Sequence, residues 1–267
     1  MYKKLVLSGG GINGIIYIGI LKYLEELDLI NNFEIFVGTS IGSFINTLII
    51  LGYKSSEIEN FILQFNFSNL NKFNIINIFT EYGIDDGSLF EVLIKCFIKN
   101  KIGRSNITLI ELFNLKKKKN IIVTCNISKN ECVYIDHISH PNLELITALK
   151  MSTCIPFYFK PVLYKNELYV DGSLLCHFAI NLFNKNDNEV LGILLNKKTN
   201  INIVKSFDDY ISLLFNMYTN LNKYNNNNII NIQYLHNIFD FSISLDNKKK
   251  LINVGYEHIY NYLKKNN

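Results

Sequence analysis

Long apolar runs are missing from this chain. No uninterrupted apolar stretch reaches the roughly 18 residues that a membrane-spanning helix requires. The run Leu5-Val6-Leu7 ends after three residues in a glycine cluster, too short for the apolar region of a secretory signal. A cytoplasmic protein, soluble or peripheral at membranes, is the expectation. Paired cysteines are missing too. Cys96, Cys125, Cys132, Cys154 and Cys176 are odd in number and widely spread, and none forms a C-x-x-C or stands at ligand spacing from a histidine. Reduced thiols are therefore expected. Strong charge is lacking as well. The formal net charge is +4, and no basic stripe interleaved with aromatics appears, which argues against nucleic-acid binding. His137 and His140 flank Asp136 at a spacing compatible with a metal, but no further ligands accompany them. With no calcium loop or zinc motif in the chain, neither a metal nor a cofactor is expected.

What is present describes a globular protein. Of 267 residues, 48% are apolar and 19% charged, enough for a large core in one domain or one domain with an extension. Asn is over-used at roughly 15% beside abundant Ile and Lys. That bias fits an AT-rich viral, bacterial or protist genome and bears little on mechanism.

The chain is organised around Gly38-Thr39-Ser40-Ile41-Gly42. The apolar run Phe33 to Val37 before it reads as a buried strand, and Phe44 to Leu51 after it as a helix. A serine between two glycines at a strand-to-helix turn is a nucleophile-elbow arrangement. Upstream, Leu5-Val6-Leu7 reads as a strand, followed by Ser8-Gly9-Gly10-Gly11-Ile12-Asn13-Gly14 and a helical period over Ile15 to Leu27. Two such units in succession predict a parallel α/β architecture. The glycine loop has three readings. It matches the dinucleotide fingerprint G-x-G-x-x-G, although the second strand lacks the acidic residue that would hold a ribose. It also fits an oxyanion hole, in which the Gly10 and Gly11 amides converge at a helix N-terminus. A plain tight turn is the third.

Further along, capping boxes at Ser56–Glu59, Ser88–Glu91 and Thr108–Glu111 predict three helix starts. Phe67 to Tyr82, rich in Phe and Ile, reads as core packing or as a lipid-access surface. Lys116 to Lys119 reads as a solvated turn or a contact for anionic headgroups. Strands are predicted over Asn120–Cys125 and Glu131–Ile135, joined as a hairpin, then a helix over Leu143–Met151 and a strand over Glu167–Val170. That last strand ends at Asp171-Gly172-Ser173, either a common turn or a carboxylate at the functional end of a sheet. A core strand over Val190–Leu195, a helical period from Phe207 through Leu221, a loop over Asn225–Asn228 and a terminal helix over Leu251–Leu263 complete the reading. His177 reads as a helix-start or packing residue.

Taken together, these motifs resemble the patatin-like phospholipase family. Gly9 to Gly14 stands for its G-G-G-x-[RK]-G loop, Gly38 to Gly42 for its G-x-S-x-G elbow, and Asp171-Gly172-Ser173 for its D-G-[GA] motif. Thr108 to Leu112, and Ser152 through Pro156 to Phe159-Lys160-Pro161, agree. The resemblance runs from about Leu5 to about Phe183. It implies a three-layer fold with a mostly parallel central sheet flanked by helices. The domain is expected over residues 5–200, with a mainly helical extension over 201–267 packed on it. It implies a lipid acyl hydrolase with Ser40 as nucleophile, Asp171 as base and the amides of Gly9, Gly10 and Gly11 as oxyanion hole. Gly14, Gly38, Gly42 and Gly172 would be motif positions. The implied partner is a phospholipid or other acyl lipid, met at a membrane surface, and the implied chemistry needs no metal. Asn13 replaces the basic residue of the glycine loop, and Ser173 replaces Gly or Ala. A catalytically silent lipid-binding relative is the alternative. A Ser-His-Asp hydrolase fits less well, because Ser40 follows only two strands and no histidine sits in a tight glycine-flanked loop.

Overall fold

The computed structural model describes residues 1–70, 74, 76–198, 204, 206, 209–214, 217, 224, 228–234 and 237–266. The first third alternates strand and helix: β1 (Lys4–Leu7), α1 (Ile16–Glu26), β2 (Ile35–Thr39), α2 (Ile41–Leu51) and α3 (Ser55–Gln64). A short α4 (Asn77–Glu81), β3 (Gly83–Asp85), α5 (Ser88–Ile102) and α6 (Leu109–Lys116) follow. Next come β4 (Lys119–Asn126), β5 (Glu131–Ile135) and α7 (Leu145–Thr153). Three strands lead to the aspartate: β6 (Phe157–Phe159), β7 (Val162–Tyr164) and β8 (Glu167–Asp171). The chain closes with β9 (Val190–Lys197), β10 (Ile229–Tyr234) and a long terminal helix, α8 (Leu245–Asn266).

The main sheet runs in the order β10-β9-β1-β2-β4-β8-β7, with β5 also paired to β4. From β10 to β4 the pairings are parallel, whereas β4 meets both β5 and β8 antiparallel. Alternation along the strands divides the apolar side chains between two faces. Leu5, Leu7, Phe36, Ile122 and Leu191 join the large core built with the helices. Val6, Val37, Val123, Val190 and Leu194 pack on the other face against Phe178, Ala179 and Ile180. The fold is a mixed α/β architecture with a central sheet flanked by helices, as the motifs implied.

Several boundaries moved for local reasons. α3 opens two residues earlier than the Ser56 box predicts, because Glu57 accepts the Lys54 amide at 2.8 Å while Ser55 is held by Glu25. Gly87, in the left-handed region, precedes α5 and Ser88 is its first residue; Glu91 is taken up by Lys95 and Lys150, each at 2.6 Å. The Thr108–Glu111 box forms as expected, with Glu111 accepting the Thr108 amide at 2.8 Å. Lys116 to Lys119 is neither a free turn nor an open basic patch. Lys116 and Lys118 donate to the carbonyls of Leu51, Asn31 and Phe33, and Lys119 pairs with Asp136 at 2.9 Å. These lysines clamp neighbouring loops.

The C-terminal segment contributes more than helix. β10 extends the sheet beyond β9, and α8 crosses α1 closely enough that a side chain at Gly19 or Gly255 would strike the opposing backbone. Residues 209–214 are helical, whereas Phe207, Leu221, His236 and most of the Asn225–Asn228 loop lie outside the described residues. No described helix is long and apolar enough to cross a membrane.

Candidate active site

The sheet topology brings Ser40 and Asp171 together. β2 pairs along β4 as far as Thr39 opposite Val123, and β8 begins on the next residue, with Asp171 opposite Thr124. Because β5 covers residues 122–126 of β4 from the other side, β2 and β8 share one edge. They run in opposite directions there, so their C-terminal ends meet head to head. One is followed by Ser40 and the other ends in Asp171, residues 131 positions apart in sequence.

Ser40 turns the chain at φ 54° and ψ −126°, outside the regions that L-residues favour. A residue held there persists only where its surroundings over-determine it. Ser152 does much of this: its hydroxyl accepts the Ser40 amide at 2.9 Å and donates to the Val123 carbonyl at 2.7 Å. The elbow also packs too tightly for side chains. A Cβ at Gly42 would stand 2.5 Å from the Leu7 carbonyl, and one at Gly38 would strike the Ser43 amide. Gly172 is similarly pressed on the Val123 carbonyl, at 2.5 Å.

The glycine loop follows β1 beside the elbow. Its Gly9 amide is already donated to the His177 carbonyl at 3.0 Å, which takes that donor out of reach of a ligand. The Gly10 carbonyl accepts both donors of Asn13, the amide at 3.1 Å and Nδ2 at 3.3 Å. A trans peptide turns its C=O and N–H to opposite sides, so holding the Gly10 carbonyl directs the Gly11 amide away from Asn13. Asn13 is thus a fully buried brace of the loop. Gly11 adopts φ 55°, where a side chain would collide with the Ile238 carbonyl. Ser8 joins the loop to β9, donating to the Gly9 carbonyl and accepting the Leu195 amide, each at 2.9 Å.

Asp171 is 1% exposed. Its Oδ1 accepts the Ser173 amide at 2.8 Å, and its Oδ2 is buried with no hydrogen-bond partner among the described residues. Burial pushes this carboxyl up to about 6, opposed by the nearby Ser40 hydroxyl, then by the Ser173 amide and hydroxyl. His177, downstream of the aspartate motif, is buried too. Its Nε2 donates to the Leu195 carbonyl at 3.0 Å and its Nδ1 has no partner among the described residues. Burial holds it below the ordinary histidine range, so the ring is neutral at physiological pH.

Two cavities meet at Ser40. One, of about 110 Å³, is walled by aliphatic and aromatic side chains, among them Ile18, Phe44, Leu48, Phe61, Phe97 and Phe241. The other, of about 30 Å³, is lined by Gly10, Asp171, His177, Lys197 and Tyr234. Ser40, Gly11, Ile155 and Ile238 border both. Within the Phe67–Tyr82 stretch, of which residues 71–73 and 75 lie outside the described residues, Phe67 lines the apolar cavity, while Ile76, Phe79 and Tyr82 are exposed, Phe79 by 83%. His137 and His140 lie elsewhere, His137 stacked on Phe113 with ring centroids 3.7 Å apart. Among the described residues no three of His, Cys, Asp and Glu are grouped as a metal site, and all five cysteines are free.

Ser152, Lys197 and Tyr234 at this site carry no sequence motif of their own. Ser152 had a signal only as part of the stretch leading to Pro156. Lys197 lies two residues beyond the predicted end of its strand, and Tyr234 lies on a strand the periodicity did not reveal.

Comparison with known proteins identifies relatives of the chain. The family model for patatin-like phospholipase matches residues 5–182. The probable lipid hydrolase 463L of invertebrate iridescent virus 6 is 31% identical over 266 residues, covering 96% of this chain and 87% of that protein. Protein R571 of Acanthamoeba polyphaga mimivirus is 30% identical over 196 residues; the match covers 72% of this chain and 64% of R571, under two thirds of its length. The structure of VipD from Legionella pneumophila superposes with TM-score 0.71 at 16% identity, covering 99% of this chain and 67% of that one. The type III effector ExoU of Pseudomonas aeruginosa does so with TM-score 0.60 at 13% identity, over 99% and 53%. The two structural likenesses speak for the fold, and the family match with the viral relative supports lipid hydrolase activity. The chain belongs to the patatin-like phospholipase family.

Proposed function

We propose that the protein hydrolyses fatty-acyl esters of phospholipids or related glycerolipids through a Ser40–Asp171 dyad, without a metal. The observation that carries this reading is the meeting of a strained Ser40 with a buried, half-unpartnered Asp171 carboxylate at the mouth of an apolar cavity. Above pH 6 Asp171 is ionised and Oδ2 is available as a base. Ser40 Oγ attacks the ester carbonyl as its proton passes to Asp171, and the oxyanion forms against the Gly10 and Gly11 amides. The ester C–O bond breaks, and the alcohol leaves with the proton from Asp171. Water then attacks the acyl-Ser40 ester with Asp171 again as base, releasing the fatty acid and restoring the serine. The apolar cavity takes the acyl chain, since burying methylene groups is what such walls favour.

Contact with the lipid surface falls on Ile76, Phe79, Tyr82 and Phe157, exposed apolar side chains on and beside the β3–β6 pair. The test is fatty-acid release from phospholipid vesicles with a chelator present. Wild type releases acid at a rate the chelator leaves unchanged, and Ser40→Ala releases none. Release that survives in Ser40→Ala, or that the chelator abolishes, would refute the reading.

A further inference from the structure

The small cavity beside Ser40 contains a cation that the dyad does not use. Lys197 ends β9, at the same edge of the sheet as the glycine loop, and is only 9% exposed. Its Nζ donates to the Ser212 hydroxyl at 2.7 Å. Among the described residues no carboxylate lies within ion-pair distance of it; burial lowers its pKa from the ordinary lysine value, opposed by Asp209 only from farther away. Lysine is rarely buried without a counter-ion, because removing an ammonium from water is costly unless an opposite charge compensates. An ammonium carries three donors, of which the described residues occupy one.

The other groups of this cavity do not supply that compensation. His177 is neutral and presents an unpartnered acceptor. Asp171 is ionised above pH 6 but lies outside ion-pair distance of Lys197 and accepts the Ser173 amide on its Oδ1, and Tyr234 is a buried phenol, held protonated by that burial. Asn13, in the glycine loop, brings no charge. The cavity opens onto the apolar one across Ser40, so a ligand that fills both carries an anion at one end and a long chain at the other.

We propose that Lys197 is the anion-binding residue of this site and receives the phosphodiester of a phospholipid headgroup. The fatty chain then lies in the apolar cavity and its ester over Ser40. The proposal extends the hydrolase reading but is tested by binding rather than by turnover. Three probes are titrated calorimetrically into wild type, Lys197→Met and Lys197→Arg: hexadecylphosphoglycerol, uncharged hexadecylglycerol and inorganic phosphate. Lys197→Met should weaken hexadecylphosphoglycerol by about 10- to 100-fold, the effect of losing a hydrogen bond to a charged group. Hexadecylglycerol should bind wild type and both variants alike, which also shows that the variants fold. Lys197→Arg should recover most of the lost affinity. Equal affinity of wild type and Lys197→Met for the phosphodiester would overturn the proposal, as would an equal loss for the uncharged lipid. Inorganic phosphate binding as tightly as the lipid would make this a free-anion site and overturn the lipid assignment. A wild type that binds hexadecylphosphoglycerol yet hydrolyses nothing would refute the hydrolase reading alone.

Discussion

Replacing Asp171 by Asn should abolish activity and stabilise the fold, and the stabilisation should depend on pH in a defined way. The carboxyl is raised from its ordinary 3.8 to about 6, chiefly by burial. Each tenfold change in the proton equilibrium corresponds to about 1.4 kcal/mol, so keeping Asp171 ionised costs the native state about 3 kcal/mol. The native protein binds this proton more tightly than the unfolded chain does. Wild-type stability from this group is therefore fully present below pH 3.8 and is lost as pH rises through 6. An Asn can still accept the Ser173 amide through its Oδ1, and it carries no charge to bury. The stability gained by Asp171→Asn should be near zero at pH 3.5, grow between about 4 and 6, and reach about 3 kcal/mol by pH 8. At roughly 2–4 °C per kcal/mol for a chain of this size, the melting temperature at pH 8 should rise by about 6–12 °C. Thermal melts of both proteins at pH 4, 6 and 8 make the comparison, in which other titrating groups largely cancel. A variant less stable than wild type at pH 8, or a difference independent of pH, would show that burial of the Asp171 charge does not destabilise the native state.

The same titration predicts that kcat/KM for ester hydrolysis rises with pH through an apparent pKa near 6 and then levels off, because Asp171 must be ionised to act as base. A rate independent of pH between 4.5 and 8 would contradict it. Ser152→Ala removes the acceptor of the Ser40 amide and the donor to the Val123 carbonyl. It should cost about 1–3 kcal/mol of stability and lower kcat with KM little changed, as steady-state kinetics and urea melts would read. Ile62 is partly buried and lines the apolar cavity. If Ile62→Trp displaces two methylenes of bound chain, at about 0.8 kcal/mol each, kcat/KM for long acyl esters falls about 15-fold while short esters are unaffected.

Ser40 and Asp171 were legible as candidates because they answer to backbone requirements that leave local marks. An elbow serine in the left-handed region needs Gly38 and Gly42 around it, and a peptide pressed against β4 needs Gly172. The parallel strands β1 and β2 were legible as apolar runs followed by glycine. Much of the rest depended on tertiary partners. β6 and β7 are three residues each, too short for an alternating pattern, and β10 follows an asparagine run that reads as loop. Lys197 is one lysine among many until β9 and the helical residues 209–214 enclose it. Asn13 read as a lost charge, whereas its buried amide braces the Gly10 carbonyl. The run Lys116 to Lys119 looked solvent-facing because a charge run shows nothing of the carbonyls waiting beside it. His177 reached the site through a backbone carbonyl that holds Gly9, an interaction no side-chain pattern encodes.

Ser40 as nucleophile is tested most directly by treating the protein with a fluorophosphonate that labels activated serines and mapping the adduct by peptide mass spectrometry. One adduct is expected, on Ser40, absent from Ser40→Ala and strongly slowed in Asp171→Asn. An adduct on any other residue, or a folded wild type that takes no label at pH 8, would contradict that role.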